Sequence, residues 1–136
     1  MRYLGIDYGD AHIGIAIGDD ETNTALPLET IPNKDGEQFS SYLAALIARE
    51  GVGAIVVGIP AMGQQYGEQR SVIEGAIKKL KEKLSVPVHA ADESFSSRQA
   101  QRLLRETGKR VVDDHAVAAM LILQGYLDKL HNLRTS

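Results

Sequence analysis

Arg2-Tyr3-Leu4-Gly5-Ile6-Asp7-Tyr8, then Gly9-Asp10-Ala11, then His12-Ile13-Gly14-Ile15-Ala16-Ile17: two apolar runs joined by a short turn signal open the chain. They predict two strands paired antiparallel, closing at Gly18-Asp19-Asp20. A third strand is expected over residues 24–31, where Pro27 argues for an edge position or a bulge. Beyond the Asn33-Lys34-Asp35-Gly36 loop, Phe39, Tyr42, Leu43, Leu46 and Ile47 recur at helical spacing over residues 37–50, and Gly51-Val52-Gly53 ends that helix. Ala54-Ile55-Val56-Val57-Gly58-Ile59 is an unbroken apolar run, as in a parallel strand buried on both faces. Residues 61–70 read as a Gly/Gln-rich loop. The next helix carries Val72, Ile73, Ala76, Ile77, Leu80 and Leu84 on one side and lysines on the other. A short strand over 87–91 ends in Asp92-Glu93, Ser94 or Ser96 caps a helix through Glu106, and a last amphipathic helix spans 114–130 before a short polar tail. Strands joined by tight turns pair antiparallel, and strands separated by helices pair parallel. The expected α/β architecture is one mixed five-stranded sheet with helices on both faces, in a single domain over residues 1–136.

With 136 residues, 43% hydrophobic and 24% charged, the chain can bury one real core. It has no run of 18 apolar residues to cross a membrane. Asp7 interrupts the first apolar run and no small-residue cleavage site follows, so a secretion signal is not expected. The absence of cysteine excludes disulfides, thiolate metal sites and a cysteine nucleophile, and a cytoplasmic location is expected. The net charge of −3 gives no global attraction for nucleic acid. The distribution is uneven, however: residues 94–112 hold Arg98, Arg102, Arg105, Lys109 and Arg110 against Glu106 alone. A helix there would carry Arg98, Arg102 and Arg105 on one face, suited either to solvent or to a phosphate backbone.

Three acidic features stand out. Asp7 lies inside an apolar strand, where a carboxylate needs a partner; Gly5 and Gly9 beside it would allow close approach. It serves a turn or an ion pair, or it is a metal ligand at a strand end. Asp92-Glu93 ends a later strand, and ligands of open α/β sheets bind outside the carboxyl ends of parallel strands. Those acids also suit the start of the following helix. Asp113 and Asp114 precede the last helix, where Asp is a common cap, yet the small residues Ala116, Ala118 and Ala119 would let that helix approach the sheet closely. Carboxylates drawn from distant parts of a chain suit hard cations, Mg²⁺ or Mn²⁺, and a two-ion site hydrolyses phosphodiesters without a protein nucleophile. Of the histidines, His12, His89, His115 and His131, none forms a metal-spacing pair, and His115 beside Asp114 could influence a site.

Taken in order, Leu4-Gly5-Ile6-Asp7-Tyr8-Gly9, Ile13-Gly14-Ile15-Ala16, Val57-Gly58-Ile59-Pro60, Asp92-Glu93-Ser94-Phe95-Ser96-Ser97 and Val112-Asp113-Asp114 ahead of Leu123-Gln124-Gly125-Tyr126-Leu127 resemble the YqgF/RuvX family. The resemblance covers nearly the whole chain. It implies an RNase H-like fold. It also implies a nuclease for 5′-end processing of pre-16S rRNA in ribosome biogenesis, or a Holliday junction resolvase acting on four-way DNA. The family's metal-binding acids map onto Asp7, onto Glu93 and onto Asp114, with Asp113 next to it. Counted back from Leu123-Gln124, the family's third acid falls one residue nearer than Asp114, at His115. The family's acidic loop is here Ile59-Pro60-Ala61-Met62-Gly63, without the acid.

The chain thus reads as a metal-dependent phosphodiesterase. Asp7, Glu93 and Asp114 are the expected catalytic residues and, with Asp113, the expected ligands of Mg²⁺ or Mn²⁺. Arg98, Arg102, Arg105, Lys109 and Arg110 are expected to bind nucleic acid, structured pre-ribosomal RNA first and branched DNA second, with no membrane partner. A non-catalytic nucleic-acid-binding module of the same fold is the competing class. Nucleotide hydrolysis is disfavoured, because the sequence has neither a G-x-x-x-x-G-K-[ST] loop nor a G-x-G-x-x-G fingerprint.

Overall fold

In a computed structural model, residues 1–34, 36–59, 67–92 and 114–135 are described. They form β1 (Arg2–Tyr8), β2 (His12–Asp19), β3 (Thr24–Pro32), α1 (Gly36–Glu50), β4 (Val52–Ile59), α2 (Gly67–Lys83), β5 (Val88–Asp92) and α3 (Asp114–Thr135). The sheet runs β3-β2-β1-β4-β5. β1 and β2 pair antiparallel, as do β2 and β3, while β1–β4 and β4–β5 pair parallel. This is the mixed five-stranded sheet expected from the turn lengths. Pro27 does both things a strand proline is allowed: it sits on edge strand β3, and the β2–β3 register shifts beside it, between Ile15 and Ala16.

Alternation along the strands sorts the side chains into two unlike faces. Leu4 and Ile6, Ile13 and Ile15, and Ile55, Val57 and Ile59 point one way. There they are covered by Phe39, Leu43 and Leu46 of α1 and by Ile73, Ile77 and Leu80 of α2. On the other face the residues are small: Ala16, Ala25 and Ala54 join Tyr3 and Val56 beneath Ala119, Ile122, Leu123 and Leu127 of α3. Bulky β-branched residues hold α1 and α2 at ordinary packing distance. The small residues let α3 come much closer. At Gly5 an added Cβ would lie 2.7 Å from the Leu123 Cβ and 2.8 Å from the Ala119 carbonyl oxygen. Gly5 therefore makes room for α3, rather than for a ligand beside Asp7.

Several boundaries differ from the expectation. β4 begins at Val52, directly after Gly51, whose φ of +66° ends α1, so Val52-Gly53 belong to the strand. Residues 67–70 are helical, because α2 begins at Gly67 and an Arg70–Glu74 ion pair of 2.9 Å braces its first turns. Val72 does not share the buried side of α2; it is 57% exposed, and the inward line is Ile73, Ile77 and Leu80. β5 runs one residue later than expected, from Val88 to Asp92. The polar tail continues α3 to Thr135, because Arg134 reaches back to Asp20 at 3.1 Å. The helix expected from Ser94 or Ser96 to Glu106 lies outside the described residues.

Two polar clamps at the far end of α3 fix how far it slides along the sheet. Gln124 accepts from the Ala25 backbone N–H at 2.9 Å and donates to the Asn23 carbonyl at 2.9 Å and to Asp128 at 3.1 Å. Asp20 accepts from the Met1 ammonium at 2.9 Å, from Arg134 at 3.1 Å and from the Tyr3 hydroxyl at 3.5 Å. Its hydrogen bond from the Met1 ammonium, helped by Arg134 and opposed by desolvation, holds its carboxyl below the usual carboxylate range. A depressed folded pKa contributes stability above the ordinary carboxylate pKa, and that stability is lost as pH falls through the folded value. Asp20→Ala is therefore expected to melt lower than wild type at pH 7, with the gap closing as pH falls below the ordinary carboxylate range. Thermal melts across that range check it; an undiminished gap at the acid end would rule out the charged clamp.

Candidate functional site

Asp7 and Asp92 both lie at the carboxyl end of the parallel strands. Ile6, Val57 and Ala90 form one row across β1, β4 and β5. Asp7 lies one step beyond that row on β1, and Asp92 two steps beyond it on β5. With β4 between them, these strand ends are about 10 Å apart. Asp7 is on the α3 face, because it alternates with Ile6. Its side chain is 20% exposed, and among the described residues it has no Lys or Arg partner.

What stands beside Asp7 follows from the sheet register. Asp7 pairs with Gly14 of β2, and opposed residues of an antiparallel pair point to the same face. Gly14 has no side chain, and the space is filled by the first turn of α3. A Cβ on Gly14 would stand 1.9 Å from the His115 carbonyl oxygen. The helix start is thereby pressed against the strand position opposite Asp7, and the His115 Nδ1 reaches to 3.8 Å from the Asp7 Oδ2. His12, at the start of β2, stacks on His115 with ring centroids 5.4 Å apart and planes 27° apart. The Gly9 backbone N–H donates to the His12 carbonyl at 3.0 Å, closing the β1–β2 turn under this pair.

The structure thus brings the start of α3 to Asp7, as its small residues suggested: Ala116 and Ala119 are buried, and Ala118 is only half-buried. Asp114 is the first residue of α3. Glu93, Asp113, Arg98, Arg102, Arg105, Lys109 and Arg110 lie outside the described residues. Among the described residues no three His, Asp or Glu side chains gather as a metal site. The stacking of His12 on His115 at Asp7 was not foreseen, although the family resemblance lets the third acidic position fall at His115. The available signal was the β1–β2 hairpin, which sets residues 12–14 across from Asp7 and Tyr8, together with the helix start at residue 114. A separate cavity of about 240 Å³ between α1 and α2 is lined by Tyr8, Phe39, Ser71, Val72 and Lys79. It lies on the other face of the sheet from Asp7, which turns toward α3.

Comparison with known proteins places this arrangement. A relative from Chloroflexus aggregans, named "Putative pre-16S rRNA nuclease", is 39% identical over 136 residues, covering 95% of this chain and 94% of that protein. One of the same name from Desulforamulus reducens is 38% identical over 135 residues, covering 94% and 97%. Among solved structures, T. thermophilus RuvC in complex with a Holliday junction substrate superposes with a TM-score of 0.65 at 17% identity, over 96% of both chains. The fowlpox virus Holliday junction resolvase gives 0.58 at 14% identity, over 95% of this chain and 99% of that one. These likenesses bear out the RNase H-like fold. No helix among the described residues is long and apolar enough to cross a membrane. A family model described as RuvX, Holliday junction resolvase, matches residues 1–129, and the chain belongs to that family.

Proposed function

We propose that this protein is a metal-dependent nuclease that hydrolyses phosphodiester bonds of structured RNA, in the 5′-end processing of pre-16S rRNA. The observation that carries the reading is Asp7: a carboxylate at the carboxyl end of a central strand, facing the start of α3, with no Lys or Arg to neutralise it among the described residues. A hard, anionic oxygen donor, 20% exposed and 3.8 Å from the His115 Nδ1, fits a hard divalent cation. Asp7, Glu93 and Asp114, with Asp113, would hold Mg²⁺ or Mn²⁺. The bound cation would polarise the scissile phosphate and make an attacking water more acidic. Asp7 orients the site because β1 is central and cannot shift without breaking two strand pairings. The seating of α3 on Gly14 holds the helix start beside Asp7. Arg98, Arg102, Arg105, Lys109 and Arg110 would bind the phosphate backbone, which supplies affinity but not sequence. The reading is of one domain over residues 1–136 with a cytoplasmic location, as expected for a cysteine-free protein that processes RNA.

A second reading, cleavage of four-way DNA, is favoured by the family description and by the two similar folds, one a RuvC bound to a Holliday junction substrate and the other a viral Holliday junction resolvase. A side-by-side assay separates the two. The protein is incubated with Mg²⁺ or Mn²⁺ on a labelled 16S precursor leader and on a labelled four-way junction. Cleavage of the RNA that stops with EDTA is the expected result. Paired symmetric cuts in the junction alone would install the resolvase reading, and binding of either substrate without cleavage would mark a non-catalytic module.

A further inference from the structure

We infer that His115 is a nitrogen ligand of the cation site at Asp7, and that this nitrogen makes the site favour Mn²⁺ over Mg²⁺. The inference rests on the metal-dependent reading above and adds to it the donor set and the ion. The starting point is placement. Gly14 opposite Asp7 admits the backbone of His115 itself, so the imidazole is delivered to the carboxylate by the main chain rather than by a long flexible side chain.

The distance carries the next step. At 3.8 Å, the His115 Nδ1 and the Asp7 Oδ2 are too far apart for a hydrogen bond. Two donors on one ion, each with a bond of about 2.1 Å, lie about 3.0 Å apart at a right angle and about 4.2 Å apart across the ion. The observed separation falls between those limits. The His115 side chain is 44% exposed, so an ion and a phosphate can both reach it. The stacked ring of His12 restricts its rotation.

Ligand chemistry decides the ion. Mg²⁺ binds oxygen and keeps its waters, whereas imidazole suits later divalent metals, and affinity for nitrogen rises from Mn²⁺ onward. An imidazole beside a carboxylate therefore biases the pair toward Mn²⁺. A neutral imidazole also leaves the carboxylate's charge for the cation, which a lysine or arginine in its place would cancel. The competing account is a loose His–carboxylate ion pair with no role in metal binding.

Pulsed EPR on the full chain loaded with Mn²⁺ alone tests this without any turnover. Wild type is expected to show ¹⁴N coupling from a directly bound imidazole. His115→Ala is expected to lose that coupling and at least about tenfold in Mn²⁺ affinity, measured by the free-ion EPR signal. His115→Asp, which restores an all-oxygen set, is expected to recover binding without the coupling and to narrow the preference for Mn²⁺ over Mg²⁺ in competition. Bound Mn²⁺ without ¹⁴N coupling in wild type overturns the inference and leaves the nuclease reading standing. Coupling that survives His115→Ala, or that survives Asp7→Asn, overturns it as well, since the nitrogen or the site is then a different one. No Mn²⁺ binding by wild type overturns the inference together with the metal-dependent reading.

Discussion

Asp7→Asn is expected to abolish cleavage while leaving the fold intact. The substitution keeps the shape of the side chain and removes its charge. In the folded chain that charge faces the start of α3, is only 20% exposed, and meets no Lys or Arg among the described residues. Such a carboxylate is held for a ligand rather than for stability, and its neutralisation relieves an unfavourable burial. The melting temperature should therefore stay within a few degrees of wild type or rise slightly. Cleavage should fall by about 10³-fold or more, which corresponds to roughly 4 kcal/mol of lost transition-state stabilisation. Binding of the nucleic acid should largely persist, because phosphate contacts made elsewhere supply most of it. Retention of more than about a tenth of the wild-type rate would remove Asp7 from the centre of the reaction. A large drop in melting temperature would instead make it a structural ion-pair partner.

Gly14→Ala is expected to be more damaging than an added methyl group at Gly5, Gly9, Gly18 or Gly53. Its Cβ would meet the His115 carbonyl oxygen at 1.9 Å, the His115 carbonyl carbon at 2.2 Å and the Ala116 nitrogen at 2.8 Å. All three are backbone atoms, so no side-chain rotation relieves the contact. Either α3 lifts from the sheet, or β2 bends at its pairing with Asp7. Lifting α3 breaks the close fit of Leu123 and Ala119 over Gly5 and strains the Gln124 clamp. Overpacking of this kind against rigid backbone costs about 3 kcal/mol or more, or roughly 10 °C in a chain of this size. Cleavage should fall as well, because the helix start that faces Asp7 is displaced. Gly75→Ala is the matched control. It lies within α2, nothing stands within 4 Å of its added Cβ, and it should melt no lower than wild type. Chemical denaturation of both variants decides the matter; equal stability of Gly14→Ala and wild type would mean that α3 does not sit on β2 as described.

The sequence by itself determined the sheet and singled out Asp7. Two apolar runs split by Gly9-Asp10-Ala11 can only fold back on each other, and a run such as residues 54–59 between helices can only lie parallel to its neighbours, because short and long connections permit different pairings. Pro27 marked the edge because a proline cannot donate to a ladder, and Asp7 stood out because a charge within an apolar strand demands a partner. Local signals failed where a distant residue sets the outcome. The last polar residues of α3 continue the helix because Arg134 finds Asp20, 114 positions earlier. Val72 fits an apolar pattern, yet it faces outward because the inward line of α2 is already taken by Ile73, Ile77 and Leu80. The family resemblance lets the third acidic position fall at His115, but only the tertiary structure sets the His115 ring beside Asp7. Their meeting depends on strand register placing Gly14 opposite Asp7, and on a missing side chain there letting a helix backbone occupy the space. That is a property of three segments packed together, and hydrophobic periodicity within one segment does not encode it.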